Sequence, residues 1–430
     1  MCVLGIDFGT SGARAIVLDG SDSSANGAVV AQSSYRFLSA TDIASPVVWE
    51  RVLWQLITAI APQIRSQINR IAINGTSATM LLCDASGRPL SQALMYNDAI
   101  ARRVLPTLSI VAPANSPALN ATSTLAKAMW LYHYEKLSLP TDEIHIAHQA
   151  DWIASRLHGQ RPVSDYHNAL KLGYDVKALA YPDWLLNLPI ADWLPSVLVP
   201  GSAIAPIRTD LAAQYDLPSS CQVCAGTTDS IAAFLASGAH RPGDAVTSLG
   251  STLVLKLLSQ FAVSSQSFGI YSHRLGDLWL VGGASNTGGA VLSRYFTAQQ
   301  ITALSTQIDL SIPCELAYYP LSQPGERFPI NDPDYPPRLT PRPARDADFL
   351  YGILDAIARI ESEGYQKLQG LGAPKLRQVY TAGGGAQNQT WQDIRQRKLG
   401  VSVAKALQTE AAYGTAKLAA TGLVDFVCHK

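Results

Sequence analysis

The chain has 430 residues, 47% of them hydrophobic and only 15% charged, and its 33 basic and 33 acidic side chains cancel. Zero net charge argues against nucleic acid or an anionic membrane as the main partner, because both select basic faces. The charged fraction lies below the roughly 25% of ordinary globular domains, which implies a large buried core. No apolar run reaches the roughly 18 residues of a membrane span, and the start lacks a basic stretch followed by an apolar one. A cytoplasmic protein is expected, or a plastid one if a transit segment has been removed.

In chain order, Val3–Asp7 reads as a short apolar strand, Ala13–Leu18 as its continuation after a turn, and Ala28–Phe37 as a third strand beyond the polar loop 20–27. Trp49, Val52, Leu53, Leu56, Ile60 and Ile64 recur at helical spacing after Ser45-Pro46, a start signal. Residues 70–90 read as strand, glycine turn, strand, turn. From Asn115 to Leu217 the pattern is helical and rich in Trp and Pro. Gln222–Gly238 reads as strand, turn, helix, and Gly238–Asp244 as a connector. The strand–turn–strand plan then restarts at Ala245–Ser259, with further strands near Phe268–Ser272 and Leu278–Val281. The Pro-rich stretch Pro320–Pro343 suggests a surface excursion. Asp346–Leu371 predicts a long amphipathic helix, Arg377–Trp391 a strand, triple glycine and helix start, and Glu410–Thr421 a last helix. The same α/β plan therefore occurs twice, as residues 1–240 and 241–430, with a cleft expected between the halves.

Each half opens on a turn with few side chains in the way. Gly9, Thr10, Ser11 and Gly12 offer backbone N–H groups and two hydroxyls, a nest suited to phosphate. An acid beside phosphates needs a cation between them, so Asp7 suits a Mg²⁺ anchor; the plainer alternative is a glycine hairpin that Asp7 caps. The turn in Ser248–Leu255, with Gly250, Ser251 and Thr252, offers a second such set. Asp229 lies at a strand-to-helix turn, where it suits either a general base or an N-cap. Gly383–Gly385 lets a flat ring or a phosphate approach the backbone. The six cysteines are scattered, and Cys221 and Cys224 form a CxxC without a second half. Their apolar setting reads as a buried strand. His145 and His148 read as a helix-surface pair.

Taken in order, "DFGTSGAR", "NGTSATMLLCDASGRPL" with "MYNDAIA", "DWIASRLHGQRPVSDYHNA", "AGTTDSIAA", "SLGSTLVL", and "AGGGAQNQTWQDIRQRKLG" with "EAAYGTAKLAATG" resemble the motifs of the FGGY carbohydrate kinases over nearly the whole chain. The overall pattern resembles most the short cyanobacterial and plant xylulose-kinase-like group, which includes D-ribulose kinases. That resemblance implies an α/β fold of two ribonuclease-H-like, actin-like ATPase domains with an active-site cleft. It implies ATP and Mg²⁺ as cofactors and a small-molecule sugar as partner, most closely D-ribulose, with D-xylulose or another polyol as alternatives.

By the same resemblance Asp229 is the catalytic base, Asp7 the metal and sugar-side residue, and Thr10 a catalytic phosphate contact. Gly9, Ser11, Arg14, Gly250, Ser251, Thr252, Gly384, Gly385 and Asn388 hold the nucleotide, and Ser77, Asn97 and Asp98 contact the sugar. Ser77-Ala78 departs from the pattern, because xylulokinases carry Met-His there. An actin-like or chaperone-like ATPase switch is the alternative from another class; Asp229 and the sugar-side segment speak against it.

Overall fold

β1 (Cys2–Phe8) is apolar on both faces, as a strand must be when helices cover each side of its sheet. The computed structural model describes residues 1–20, 27–136, 139, 141 and 143–426. The loop read at 21–26 and Cys428 lie outside the described residues. The chain divides into two compact units, Met1–Ala236 with Glu410–Lys430, and Ser237–Thr409.

In the first unit β1 pairs antiparallel with β2 (Gly12–Asp19), and β2 with β3 (Val29–Arg36), so the expected meander forms. β4 (Ile68–Gly75) then joins β1 in parallel. Two small pairs follow, β5 (Met80–Cys83) with β6 (His145–His148), and β7 (Val163–Asp165) with β8 (Ser196–Leu198). β9 (Ala203–Pro206) and β10 (Gln222–Thr228) complete a six-stranded sheet in the order β3-β2-β1-β4-β10-β9. On one face lies the Pro46–Thr58 helix, N-capped by Ser45 and started by Pro46, which buries Trp49 edge-on against Trp152. The Ala411–Phe426 helix packs against β1, β2 and β4. Its small residues Ala412 and Ala416 let its backbone approach β1 closely, and both are buried.

The second unit repeats the plan. β11 (Asp244–Leu249) and β12 (Leu253–Ser259) form the hairpin, β13 (Ser272–Leu275) and β14 (Leu278–Ser285) extend it, and β15 (Gln378–Ala382) and β16 (Ser402–Lys405) add in parallel. The sheet order is β13-β14-β12-β11-β15-β16. The 25-residue helix Asp346–Gly370 buries Phe349, Leu350, Ile353, Leu354, Ile357 and Leu368.

Several expectations change. The first helix ends at Thr58, and Ile64 belongs to a separate turn, Pro62–Arg65. Pro62 holds Ala61 extended at ψ 139° and interrupts the helix. The 115–217 segment contains helices at Thr124–Tyr134 and Gln149–His158 but also β6 to β9. Phe268 lies in a 3₁₀ turn, and β13 begins only at Ser272. The Pro320–Pro343 stretch forms no helix or strand and is mostly exposed over 331–343, as expected of a surface excursion, but its 320–330 part is anchored in the interior. Its Glu326 is 2% exposed and accepts from Ser285 Oγ (2.6 Å), Asn286 N–H (2.8 Å) and Tyr319 OH (2.9 Å). The terminal helix, the last element of the second half expected at 241–430, packs its alanine face on the first sheet and is grouped with the first compact unit. His145 and His148 stand on β6. His148 is fully buried and heads the Gln149–His158 helix, with Nδ1 2.7 Å from Asp151 Oδ2.

Candidate active site

In the first unit β1, β4 and β10 run parallel, and Asn74 of β4 has Asp7 in register on one side and Thr227 on the other. The Asp229–Ala236 helix starts directly after β10. Asp7 and Asp229 thus emerge from the carboxyl ends of two strands flanking one middle strand, where open α/β sheets place their ligands. Asp7 is half-buried, and its Oδ1 is buried with no hydrogen-bond partner among the described residues. Burial first, then the Asp229 carboxylate, pushes its pKa up to about 7, with Arg14 opposing. Asp229 is the first residue of its helix and accepts the Ser230 N–H at 2.6 Å. That is a contact to its own neighbour; a capping side chain would reach two or three residues on.

The turn between β1 and β2 is closed by Gly9, whose N–H donates to Gly12 O at 3.0 Å. Thr10 and Ser11 are exposed at its tip. Arg14, expected on the nucleotide, forms an ion pair with Glu410.

At the end of β4 a second group of expected residues assembles. Thr76 N–H and hydroxyl both donate to Gln149 Oε1 (3.0 and 3.1 Å), and the Thr76 and Thr79 hydroxyls meet at 2.5 Å. Between them Ser77 is half-buried, and Ala78 is buried with φ at +69°, a strained conformation for a residue with a Cβ. The 95–98 loop lies alongside. Tyr96 N–H donates to Thr79 Oγ1 at 3.0 Å, and Asp98 Oδ2 accepts the Met95 N–H at 2.6 Å. Asn97 is exposed and Asp98 half-buried. Sequence reasoning missed two lysines here. Lys127 is fully buried, with its pKa pushed down to about 8, mainly by burial. Lys171 is likewise lowered by burial, while the Asp229 carboxylate pulls it back up.

In the second unit the two glycine motifs line one cavity of about 830 Å³, with Gly250 and Ser251 on one wall and Gly384, Gly385, Asn388 and Trp391 on another. Thr252, the remaining residue expected there, leads into β12. A Cβ on Gly385 would lie 2.6 Å from the Trp391 ring and 2.8 Å from Leu249, so only glycine fits. Asn388 caps the Gln389–Leu399 helix by accepting Trp391 N–H (3.0 Å), and its amide donates to Ser305 Oγ (2.8 Å). Phe296, Ser305 and Trp391 were not anticipated as lining residues; Phe296 stands just before the Ala298–Ser305 helix and Ser305 ends it, and the Thr297–Gln300 capping box could have marked that helix.

Cys2, Cys83, Cys221 and Cys224 are buried free thiols, and burial pushes Cys221 up to about 12. At that pKa the thiolate needed for redox or metal chemistry is scarce. Among the described residues no group of three or more His, Cys, Asp or Glu side chains could hold a metal. Nor is any of their helices long and apolar enough to cross a membrane.

Family models for the FGGY carbohydrate kinases match most of the chain, the N-terminal domain over residues 2–236 and the C-terminal domain over 246–423, the latter including most of the terminal helix that packs on the first sheet. The chain belongs to the FGGY family of carbohydrate kinases. Xylulose kinases from Streptomyces coelicolor and Streptomyces rubiginosus are 28% and 27% identical over 274 residues, 60% of this chain and 54% of theirs. The match therefore spans about half the length of these curated FGGY relatives. Two solved structures share the fold at a TM-score of 0.84. A xyloylose kinase from Brucella ovis is 22% identical, covering 100% of this chain and 92% of the other. Plasmodium falciparum glycerol kinase with ADP is 16% identical, covering 99% and 90%. The two sheets of this chain are accordingly those of the two-domain, actin-like α/β fold of FGGY sugar kinases.

Proposed function

We propose that this FGGY protein transfers the γ-phosphoryl group of ATP to the terminal hydroxyl of a ketopentose, with D-ribulose giving D-ribulose 5-phosphate. The observation that carries this reading is the pair Asp7 and Asp229 at the ends of the strands flanking β4. Asp229 accepts the proton of the sugar hydroxyl as its oxygen bonds to the γ-phosphorus, and the bond from that phosphorus to the bridging oxygen breaks to release ADP.

Asp7 fits a Mg²⁺ ion. Its Oδ1 is buried without a hydrogen-bond partner among the described residues, and its carboxyl is held near neutral pKa by burial and by Asp229, a balance that a cation would reverse. One carboxylate with phosphate oxygens and water is a common Mg²⁺ set. When bound, the ion neutralises charge on the phosphates. Thr10 and Ser11 offer hydroxyl and N–H groups to phosphate oxygens in the first unit, and Gly250, Ser251 and Thr252 offer a like set in the second. The second unit's cavity takes the adenosine end against Gly384, Gly385 and Asn388.

On the sugar side Ser77 offers a compact hydroxyl that can hydrogen-bond a keto-sugar hydroxyl, and Asn97 and Asp98 supply further polar contacts. D-xylulose is the second reading, favoured by the match to the Streptomyces xylulose kinases. NMR of the product made from Mg·ATP and each sugar tests the choice. D-ribulose 5-phosphate formed at the higher kcat/KM supports the first reading, and a higher kcat/KM for D-xylulose replaces it with the second.

A further inference from the structure

We infer that Lys127 is a positioning residue for the sugar subsite, holding the Ser77–Ala78 turn and the Met95–Asp98 loop at a fixed spacing. The inference rests on the proposed sugar kinase activity. Lys127 projects from the Thr124–Tyr134 helix, itself fixed by Ser123, whose hydroxyl accepts Ala126 N–H (3.1 Å) and donates to Ala118 O. The Lys127 ammonium is fully buried and donates to Ala78 O at 3.1 Å and to Met95 O. These carbonyls belong to the two segments that carry the expected sugar contacts. The same segments are also joined by the Met80–Leu94 bridge and by Tyr96 N–H to Thr79 Oγ1 at 3.0 Å, and Lys127 adds the charged tie between them.

Three observations separate this lysine from an ordinary core residue. A buried ammonium costs several kcal/mol in desolvation, and the favourable field of the Asp98 carboxylate is opposed by that of Lys171. No ion pair within 4.0 Å offsets that cost among the described residues. The carbonyl it grips on the first segment is that of Ala78, the residue held at φ +69°. A fold that needed only packing would place an apolar side chain here. The charge and its two carbonyls instead lock Ser77 relative to Asn97 and Asp98, which a hydroxylated substrate must meet together. An ammonium has three donors, and the two carbonyls take two of them.

Lys127→Met keeps most of the side-chain volume and removes the charge and both hydrogen bonds; Lys127→Gln keeps a donor on a shorter stem. Steady-state kinetics with both variants, varying sugar and ATP separately, test the inference beside thermal unfolding. The KM for the sugar is expected to rise about 10-fold in Lys127→Met and less in Lys127→Gln, with KM for ATP within about 2-fold of wild type. The melting temperature should be unchanged or higher, since a desolvated charge is gone. An unchanged sugar KM in a folded Lys127→Met overturns the inference while leaving the kinase reading intact. So does a failure of both variants to fold, because the role would then be structural. Wild-type protein without sugar-dependent turnover overturns the kinase reading first, and this inference with it.

Discussion

The two units share a strand plan but load it with different chemistry. In the first, the strand before the hairpin turn brings Asp7 to the turn; in the second, the corresponding strand ends in Leu249, which lines the cavity. β10 runs into a helix that starts with Asp229, and β15 runs into glycines. The buried charges differ in the same sense. In the second unit Arg395 pairs with Glu361 through Nε (2.6 Å) and Nη2 (2.8 Å), and Thr247 and Thr381 satisfy the rest at 2.5 and 2.7 Å. In the first, Arg65 is likewise satisfied by Asp216 and three carbonyls, but among the described residues Asp7 keeps an oxygen without a hydrogen-bond partner and Lys127 has no ion pair within 4.0 Å. Buried charges that hold a fold together are fully paired. Those left partly unpaired mark where a ligand completes the set.

That contrast can be broken from either side. The largest effect is expected at Asp229: Asp229→Ala should lower kcat by at least about 10³-fold while leaving nucleotide binding near normal, measured by sugar-dependent turnover and by ATP titration. Retained turnover would remove Asp229 from the base role. On the structural side, Glu361→Ala strands a buried guanidinium and should cost about 3–5 kcal/mol, a fall of roughly 10 °C in melting temperature. A shift under about 2 °C would show that the pair is not needed for stability.

A third effect is read as pH dependence. His158 Nδ1 accepts the Gln160 N–H at 3.1 Å, so the ring is neutral with its proton on Nε2, and burial pushes its pKa down to about 4. The unfolded chain binds this proton at about 6.5, so between pH 6.5 and 4 it carries more protons than the folded one. Stability from this site is thus fully present above pH 6.5 and is lost as pH falls toward 4, by up to about 3 kcal/mol. Denaturant unfolding of His158→Gln across that window should show a shallower acid loss than wild type; parallel curves would exclude the residue.

The smallest effect separates two neighbouring glycines. Gly385→Ala drives a Cβ to 2.6 Å from Trp391 and should raise KM for ATP about 10-fold while lowering the melting temperature. At Gly384 a Cβ meets nothing within 4 Å, so Gly384→Ala should leave stability unchanged and weaken only ATP binding. Equal melting shifts in the two variants would blunt the distinction.

Much of this was legible in the sequence, for reasons tied to particular residues. The turns at Gly9–Gly12 and Gly250–Thr252 stand out because glycine and hydroxyl residues interrupt apolar strands, and the Asp346–Gly370 helix because its apolar residues keep helical spacing. Proline at position 62 gave a local signal that was there to be used. His148 was misread because a four-residue strand carries too few positions to show its period. Lys127 left no signal at all. Within "TLAKAMWL" a lysine reads as the solvated residue of a helix, and its burial comes from Ala78 and Met95, 49 and 32 residues away. Spacing alone could not assign Asp7 and Asp229 to one site, since 222 positions separate them and the parallel register of β1, β4 and β10 joins them.

The most direct test of the account is ADP release by wild-type protein with Mg·ATP, measured with D-ribulose, D-xylulose, L-ribulose, glycerol and no sugar. Release that depends on a ketopentose, with D-ribulose fastest, is the predicted result. Release at one rate in every arm would contradict it and point to an ATPase switch, with Asp229 serving no sugar hydroxyl.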